Sequence, residues 1–310
     1  MTLLDSLVYG CGALAAPFIL LRLSSLLYTY LKPSSLNRYL DSSRGSWAVV
    51  TGASDGIGRA LAQELCARGF NVILHGRNPS KLEALKLSLN NDFPSRSVRT
   101  MVLDASTASP PQIGEAVASI SDLHITVLIN NVGGTAGILS TTYKNFPLFT
   151  PMEIKGLMHV NDIFAIHLTR ALLPILRRNS PSLLMNIGSY AAIGVPYVSI
   201  YAGTKGFLAS MTNAVAAESM AEGWNIEVMH MKVGAVHSAG NKAEESFFVP
   251  GTRVFAKSCL DRVGCGSCDV TPFWPHALQG LALEAMPERV RQRMLVQMIK
   301  PLMEASDKEE

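Results

Sequence analysis

Trp47-Ala48-Val49-Val50-Thr51-Gly52-Ala53-Ser54-Asp55-Gly56-Ile57-Gly58 is the stretch whose reading decides the fold. Residues 47–50 form a short apolar run that reads as a buried strand. The glycine-rich turn at Thr51 to Gly58 follows, and residues 59–68 read as a helix. Glycines at such a junction let the backbone turn tightly and let a pyrophosphate approach the free N–H groups of a helix N-terminus. A glycine run alone is a weak sign, but one between a strand and a helix stands in the context that dinucleotide binding requires. On this reading Thr51, Gly52, Ser54, Asp55, Gly56, Ile57 and Gly58 surround the cofactor phosphates.

The pattern repeats downstream. Residues 71–74 read as a second strand, ending in His75-Gly76-Arg77-Asn78. An acidic residue there would bind a ribose 2′-hydroxyl. Gly76 leaves room instead and Arg77 offers a cation, which suits the 2′-phosphate of NADP(H). Residues 81–89 follow as an amphipathic helix, and residues 99–103 as a third strand ending in Asp104, an acceptor for the adenine amine. A fourth strand at 127–129 runs into Asn130-Asn131-Val132-Gly133, where asparagines can tie neighbouring strands and Gly133 lets a cofactor lie against the backbone. Strands at 182–187 and 225–231 and helices at 153–176 and 199–221 continue the alternation. Together they predict an α/β, Rossmann-type, doubly wound parallel sheet with helices on both faces.

The chemistry is expected between Ser189 and Lys205. Tyr201 and Lys205 are four apart and share a helical face. A nearby ammonium favours the phenolate and so lowers the tyrosine pKa. Such a phenol can exchange a proton with a carbonyl or carbinol oxygen, to which Ser189 can also hydrogen-bond. This apparatus lacks only a hydride, which the upstream half supplies through its cofactor.

The run at Thr51, the Asn130-Asn131-Val132-Gly133 segment, Ser189, and Tyr201 with Lys205 together resemble the short-chain dehydrogenase/reductases, from about residue 47 to 238. Trp47 to Gly58, the Asn130 segment, Phe255-Ala256-Lys257-Ser258, His276-Ala277-Leu278 and the apolar N-terminus resemble more closely the very-long-chain 3-oxoacyl-CoA reductases, the branch of the type-12 17β-hydroxysteroid dehydrogenases. The resemblance implies that Tyr201 is the general acid. Lys205 would tune it and hold the nicotinamide ribose, Ser189 would bind the substrate oxygen, and Asn161 would hold a water near Lys205. Val236 would meet the carboxamide, and Ser238 would stand for the family threonine. Pairing of the helices at 153–176 and 199–221 in a homodimer, and the cytosolic face of the endoplasmic reticulum membrane, are implied likewise. Two departures bear on the substrate: the segment from Ser189 to Tyr201 is one residue short, and Val233-Gly234 replaces Pro-Gly.

The remaining chain sets the domain plan. Residues 3–21 are nearly all apolar, long enough to span a bilayer, and basic residues follow rather than precede them, which predicts a membrane anchor at 1–32 with everything after it in the cytosol. Residues 33–46 read as a polar linker, 47–280 as the catalytic domain with a substrate loop at 239–254, and 281–310 as a C-terminal amphipathic helix and tail. Hydrophobic residues make up 48% and charged residues 16% of the chain, which excludes disorder. The net charge of +3 carries no basic run interleaved with aromatics, so nucleic acid is not an expected partner. The five cysteines form no disulfide framework, and Cys259, Cys265, Cys268 and His276 are a poor zinc set, so no metal is expected. The expected activity is NADPH-dependent reduction of a lipophilic ketone, 3-oxoacyl-CoA-like. The alternatives are a tailoring reductase for a steroid, polyketide or terpenoid ketone, and a non-catalytic cofactor-binding membrane scaffold.

Overall fold

A computed structural model describes residues 17, 20, 21 and 24–306. Seven strands form one parallel sheet: β1 (Trp47–Val50), β2 (Asn71–Gly76), β3 (Val98–Val102), β4 (Ile125–Asn130), β5 (Ser182–Ile187), β6 (Ile226–Met231) and β7 (Asp269–Val270). Their order is β3-β2-β1-β4-β5-β6-β7. The chain therefore reverses direction across the sheet between β1 and β4. In open α/β sheets that switch point opens the crevice in which ligands bind. Strands β1, β4 and β5 are buried throughout, as a sheet covered on both faces requires.

Helices cover both faces. On one, α1 (Gly56–Ala67), α2 (Pro79–Asp92) and α7 (Thr252–Asp261) bury Leu61, Leu65, Leu82 and Phe255. On the other, α3 (Pro110–Ala118) and α5 (Phe164–Arg178) bury Ile113, Leu168 and Leu172. The long helix α6 (Ser199–Ala221) packs on β6. This is the expected doubly wound sheet.

Three expectations are corrected. Residues 33–46 are not a free linker. Leu36–Tyr39 is a 3-10 turn whose Leu36 and Tyr39 are buried in the core, the Tyr39 hydroxyl donates to the Glu227 carboxylate, and Thr126 Oγ1 donates to the Tyr39 carbonyl at 2.8 Å. The helix expected over 153–176 is three pieces: α4 (Pro151–Met158), a π turn (His159–Ile163) and α5. The expected C-terminal helix is two, α8 (Trp274–Ala285) and α9 (Glu288–Ser306). Pro287 disfavours helical backbone at Met286, which is extended (φ −76°, ψ 137°). Most of the expected anchor lies outside the described residues, and among the described residues no helix is long and apolar enough to cross a membrane.

A row of polar residues runs across the sheet at one level. Asn130, Asn186, His230 and Asp269 stand in register on β4, β5, β6 and β7. Asn130 donates to Asn186 Oδ1 (2.8 Å) and Thr169 Oγ1 (2.9 Å), and Asn186 donates to Thr212 Oγ1 (2.8 Å). Buried amides and hydroxyls paired in this way fix the register of the strands that end at the site.

Candidate active site

A cleft of about 660 Å³ opens at the switch point, within the range of small-molecule sites. Its floor is the glycine turn. Gly52 has φ +64°, and a Cβ there would come within 3.0 Å of the Val132 backbone. A Cβ at Gly58 would stand 2.2 Å from the Gly52 carbonyl oxygen. The turn therefore packs against the Asn131 strand end only because these two side chains are missing. Asp55 caps α1, accepting from the Gly56 N–H at 2.8 Å. Thr51 is fully buried; its Oγ1 accepts from the backbone N–H groups of Asn131 and Val132 at 2.8 and 3.0 Å. Asn131 returns the tie by donating to the Thr51 carbonyl at 2.9 Å.

Of the residues expected at the cofactor, Gly52, Ser54, Asp55, Gly56 and Ile57 line the cleft. So do Arg77, Asn131, Gly133, Val236 and Ser238. Thr51, Gly58, Asp104 and Asn130 are not in its lining. Thr51 and Gly58 shape the turn, Asn130 ties strands, and Asp104 Oδ1 is occupied by the N–H and hydroxyl of Ser106 at 2.9 and 2.7 Å. The residues present fit a dinucleotide: a side-chain-free cradle leads to a helix N-terminus, and Arg77 and Lys81 line the same cleft as Ser189, Tyr201 and Lys205.

Ser189, Tyr201 and Lys205 all line this cleft. Ser189 follows β5 and caps the next turn, accepting from Ala191 N–H at 3.0 Å. Lys205, one helical turn beyond Tyr201, places Nζ 5.7 Å from the Tyr201 ring centroid and donates to the Ile187 carbonyl at 3.0 Å. The direction of the tyrosine shift differs from expectation. Burial raises the Tyr201 pKa, and the neighbouring Ser189 hydroxyl only partly offsets it. Burial also pushes Lys205 down, to about 8, while Asp162 pulls it back up. In the protein alone, loss of solvent outweighs charge, and the lysine is the group brought near neutrality.

Asn161 sits on the π turn between α4 and α5, where the sequence pattern predicts continuous helix. Such turns recur at functional sites because one extra residue turns the side chains out of helical register. Asn161 accepts from Gly134 N–H at 2.8 Å and donates to the carbonyls of Gly134 (3.0 Å) and Leu157 (2.9 Å). A Cβ at Gly133 would come within 2.6 Å of Asn161 Oδ1 and 3.3 Å of Lys205 Nζ, so both side chains reach the same glycine.

Several contributors escaped the sequence reading. Asp162, next to Asn161, is buried, and burial pushes its carboxyl up to about 7. Its only signal was a charge inside an apolar helix pattern. His276 is fully buried and holds the turn that lacks a proline. Its Nδ1 accepts from Gly234 N–H at 3.3 Å, and its Nε2 donates to the carbonyls of Ala235 and Phe248, each at 3.0 Å. His276 is thus committed to hydrogen bonds within the fold. Among the described residues no group of three His, Cys, Asp or Glu side chains could hold a metal ion. Cys259, Cys265 and Cys268 are free thiols.

The family model for short chain dehydrogenase matches residues 46–247. The chain belongs to the short-chain dehydrogenase family, oxidoreductases acting on CH–OH and C=O groups with a nicotinamide cofactor. Similar curated proteins include very-long-chain 3-oxoacyl-CoA reductases. A very-long-chain 3-oxoacyl-CoA reductase of Caenorhabditis elegans is 31% identical over 93% of this chain and 92% of its own length. That of Coprinopsis cinerea is 31% identical over 84% and 78%. Among solved structures, a 7β-hydroxysteroid dehydrogenase matches with a TM-score of 0.70 at 18% identity, over 81% of this chain and 97% of that one. A short-chain dehydrogenase from Sphingobium yanoikuyae in complex with NADPH matches with a TM-score of 0.62 at 22% identity, over 79% and 97%. The two structures share the fold.

Proposed function

We propose that the protein is an NADPH-dependent ketoreductase acting on a lipophilic, 3-oxoacyl-CoA-like substrate. The observation that carries this reading is that Ser189, Tyr201 and Lys205 line one cleft together with the glycine turn and the N-terminus of α1. The names of the curated relatives support the substrate class. Arg77 and Lys81 in the lining of the cleft support NADPH, because they offer cations to a 2′-phosphate. A reduced nicotinamide bound in the cleft supplies the hydride. The Tyr201 hydroxyl donates its proton to the carbonyl oxygen as negative charge develops there, and the Ser189 hydroxyl hydrogen-bonds the same oxygen. A raised phenol pKa keeps Tyr201 protonated and ready to donate. Lys205, held on the Ile187 carbonyl, supplies the positive charge that stabilises the phenolate left behind.

Residues 1–32 serve on this proposal as the membrane anchor, with the catalytic domain on the cytosolic face of the endoplasmic reticulum. The apolar run at 3–21 and the basic residues after it support that placement. The deciding experiment is NADPH oxidation by the membrane-reconstituted protein with 3-oxoacyl-CoA thioesters of increasing chain length, beside a panel of steroid and polyketide ketones. Turnover that rises with acyl length, and is lost in Tyr201→Phe, is the expected result. Wild-type turnover by Tyr201→Phe would overturn the mechanism, and turnover of a steroid or polyketide ketone alone would overturn the substrate class.

A further inference from the structure

Helix α8 carries an apolar stripe on its solvent side. Trp274, Leu278 and Leu281 recur at helical spacing and are 49, 45 and 41% exposed, while Pro275, His276, Ala277 and Gly280 between them are buried. Phe247, 57% exposed, stacks edge-to-face on Trp274 with ring centroids 5.2 Å apart, and Phe248 packs on Phe247 at 4.9 Å. These aromatics come from the loop whose Ala239, Gly240 and Asn241 line the catalytic cleft. His276 fastens them to the site, since its ring bonds the Phe248 carbonyl and also the Gly234 N–H and Ala235 carbonyl at the cleft wall.

The helical segment at residues 24–31 lies alongside this surface. Its Leu26, Thr29 and Tyr30 share a cavity of about 360 Å³ with Ala277 and Leu281 of α8, and the Tyr30 hydroxyl donates to the Thr271 carbonyl at 2.6 Å. The apolar run at 3–21 ends two residues before that segment, so the chain joins it to a helix lying beside α8. Exposed aromatic and aliphatic groups grouped in this way mark a docking face, and Trp in particular favours the headgroup level of a bilayer. Arg289 and Arg293 on the exposed surface of α9 add cations beyond the stripe.

We propose that the face formed by Phe247, Trp274, Leu278 and Leu281 seats on a lipid surface, so that the catalytic domain itself touches the membrane beside the mouth of its cleft. The occupant is the headgroup and upper acyl region of a bilayer. Continuity with the apolar run selects it over a second copy of the chain. The proposal rests on the membrane-anchor reading of residues 1–32 and is independent of the reaction catalysed at the cleft.

The chain has three tryptophans, which makes the contact readable. Trp47 is buried in β1, and Trp224 lies under the Arg177 guanidinium at 4.6 Å. The full-length protein is reconstituted in phosphatidylcholine vesicles with brominated acyl chains, and its tryptophan emission is compared with that in unbrominated vesicles. Quenching is expected in the wild type, and its loss is expected in Trp274→Phe, a change at an exposed position that leaves the fold intact. Equal quenching of wild type and Trp274→Phe, or none in either, would overturn the proposal. Protection of Trp274 from aqueous iodide that grows with protein concentration and not with lipid would assign the face to a second copy instead.

Discussion

The buried carboxyl of Asp162 and the buried ammonium of Lys205 act on each other across the contact between the π turn and α6. Burial pushes the carboxyl up to about 7 and Lys205 draws it down; burial pushes the ammonium down to about 8 and Asp162 draws it up. Each group thus keeps the other charged more readily than its burial alone would allow. Asp162→Asn removes the negative partner, so Lys205 should lose its proton at a lower pH. The expected outcome is that the alkaline limb of the kcat/KM profile, near pH 8 in the wild type, moves towards neutrality. The same shift should appear in the pH dependence of NADPH affinity. A limb that stays in place would show that Lys205 does not govern it.

His75 gives the fold an acid sensitivity whose sign is fixed by its environment. Its ring is fully buried, stacks on Phe164 with centroids 4.8 Å apart, and accepts from the Gly52 N–H at 3.4 Å. Burial lowers its pKa to about 4. The unfolded chain, with a histidine pKa of about 6.5, therefore binds the extra proton first. Stability should be full above about pH 6.5 and should fall as the pH drops towards 4, by at most about 3 kcal/mol from this residue. His276, also lowered by burial, adds to the same slope. In His75→Phe, which keeps the stacking, the melting temperature should vary less between pH 6.5 and 4 than in the wild type.

Arg77 is expected to set the choice of nucleotide. Its guanidinium lies over Gly137, where a Cβ would come within 2.7 Å of Nη2, and it lines the cleft with Lys81. A charge-assisted contact to a phosphate is worth roughly 1.5–3 kcal/mol, and tenfold corresponds to about 1.4 kcal/mol. Arg77→Ala should lower kcat/KM for NADPH by about tenfold or more and leave that for NADH nearly unchanged. Equal losses with both nucleotides would assign Arg77 to shaping the Gly137 loop.

The sequence carried the parts of this protein that depend on local pattern. The Trp47 to Gly58 junction, the spacing of Tyr201 and Lys205, and the strand at 182–187 are short-range signals, and the structure has them at those positions. What remained illegible depends on partners far along the chain. Leu36 and Tyr39 look like scattered apolar residues in a polar segment until Thr126 and Glu227 arrive to hold Tyr39. The π turn at Asn161 has no residue that breaks a helix, so periodicity ran straight through it. Spacing reveals the cation beside Tyr201, whereas the direction of the tyrosine pKa follows from burial, which spacing does not reveal. Val233-Gly234 lacks the proline that would stiffen the turn, and His276, more than forty residues later, pins it instead.

Gly188 shows how the turn at Ser189 depends on such a distant partner. It lies between Ile187, whose carbonyl holds Lys205, and Ser189. The His230 ring fills the space where its side chain would be: a Cβ at Gly188 would stand 1.9 Å from His230 Nε2. The ring cannot easily retreat, because its Nδ1 bonds Asp269 Oδ1 at 2.9 Å and the other Asp269 oxygen pairs with Lys232 Nζ at 3.1 Å. Gly188→Ala should therefore destabilise the fold by about 1–3 kcal/mol, the usual cost of overpacking. It should also lower kcat more than it weakens NADPH binding, because Ser189 is the next residue. His230→Ala alone should destabilise the fold by opening a cavity and leaving Asp269 without one partner. In the double variant the added methyl occupies vacated space, so the two losses should fall short of additivity by about 0.5–3 kcal/mol. Denaturant melts of the four proteins measure that coupling directly. Strict additivity would show that the turn at Gly188 is set by something other than the ring behind it.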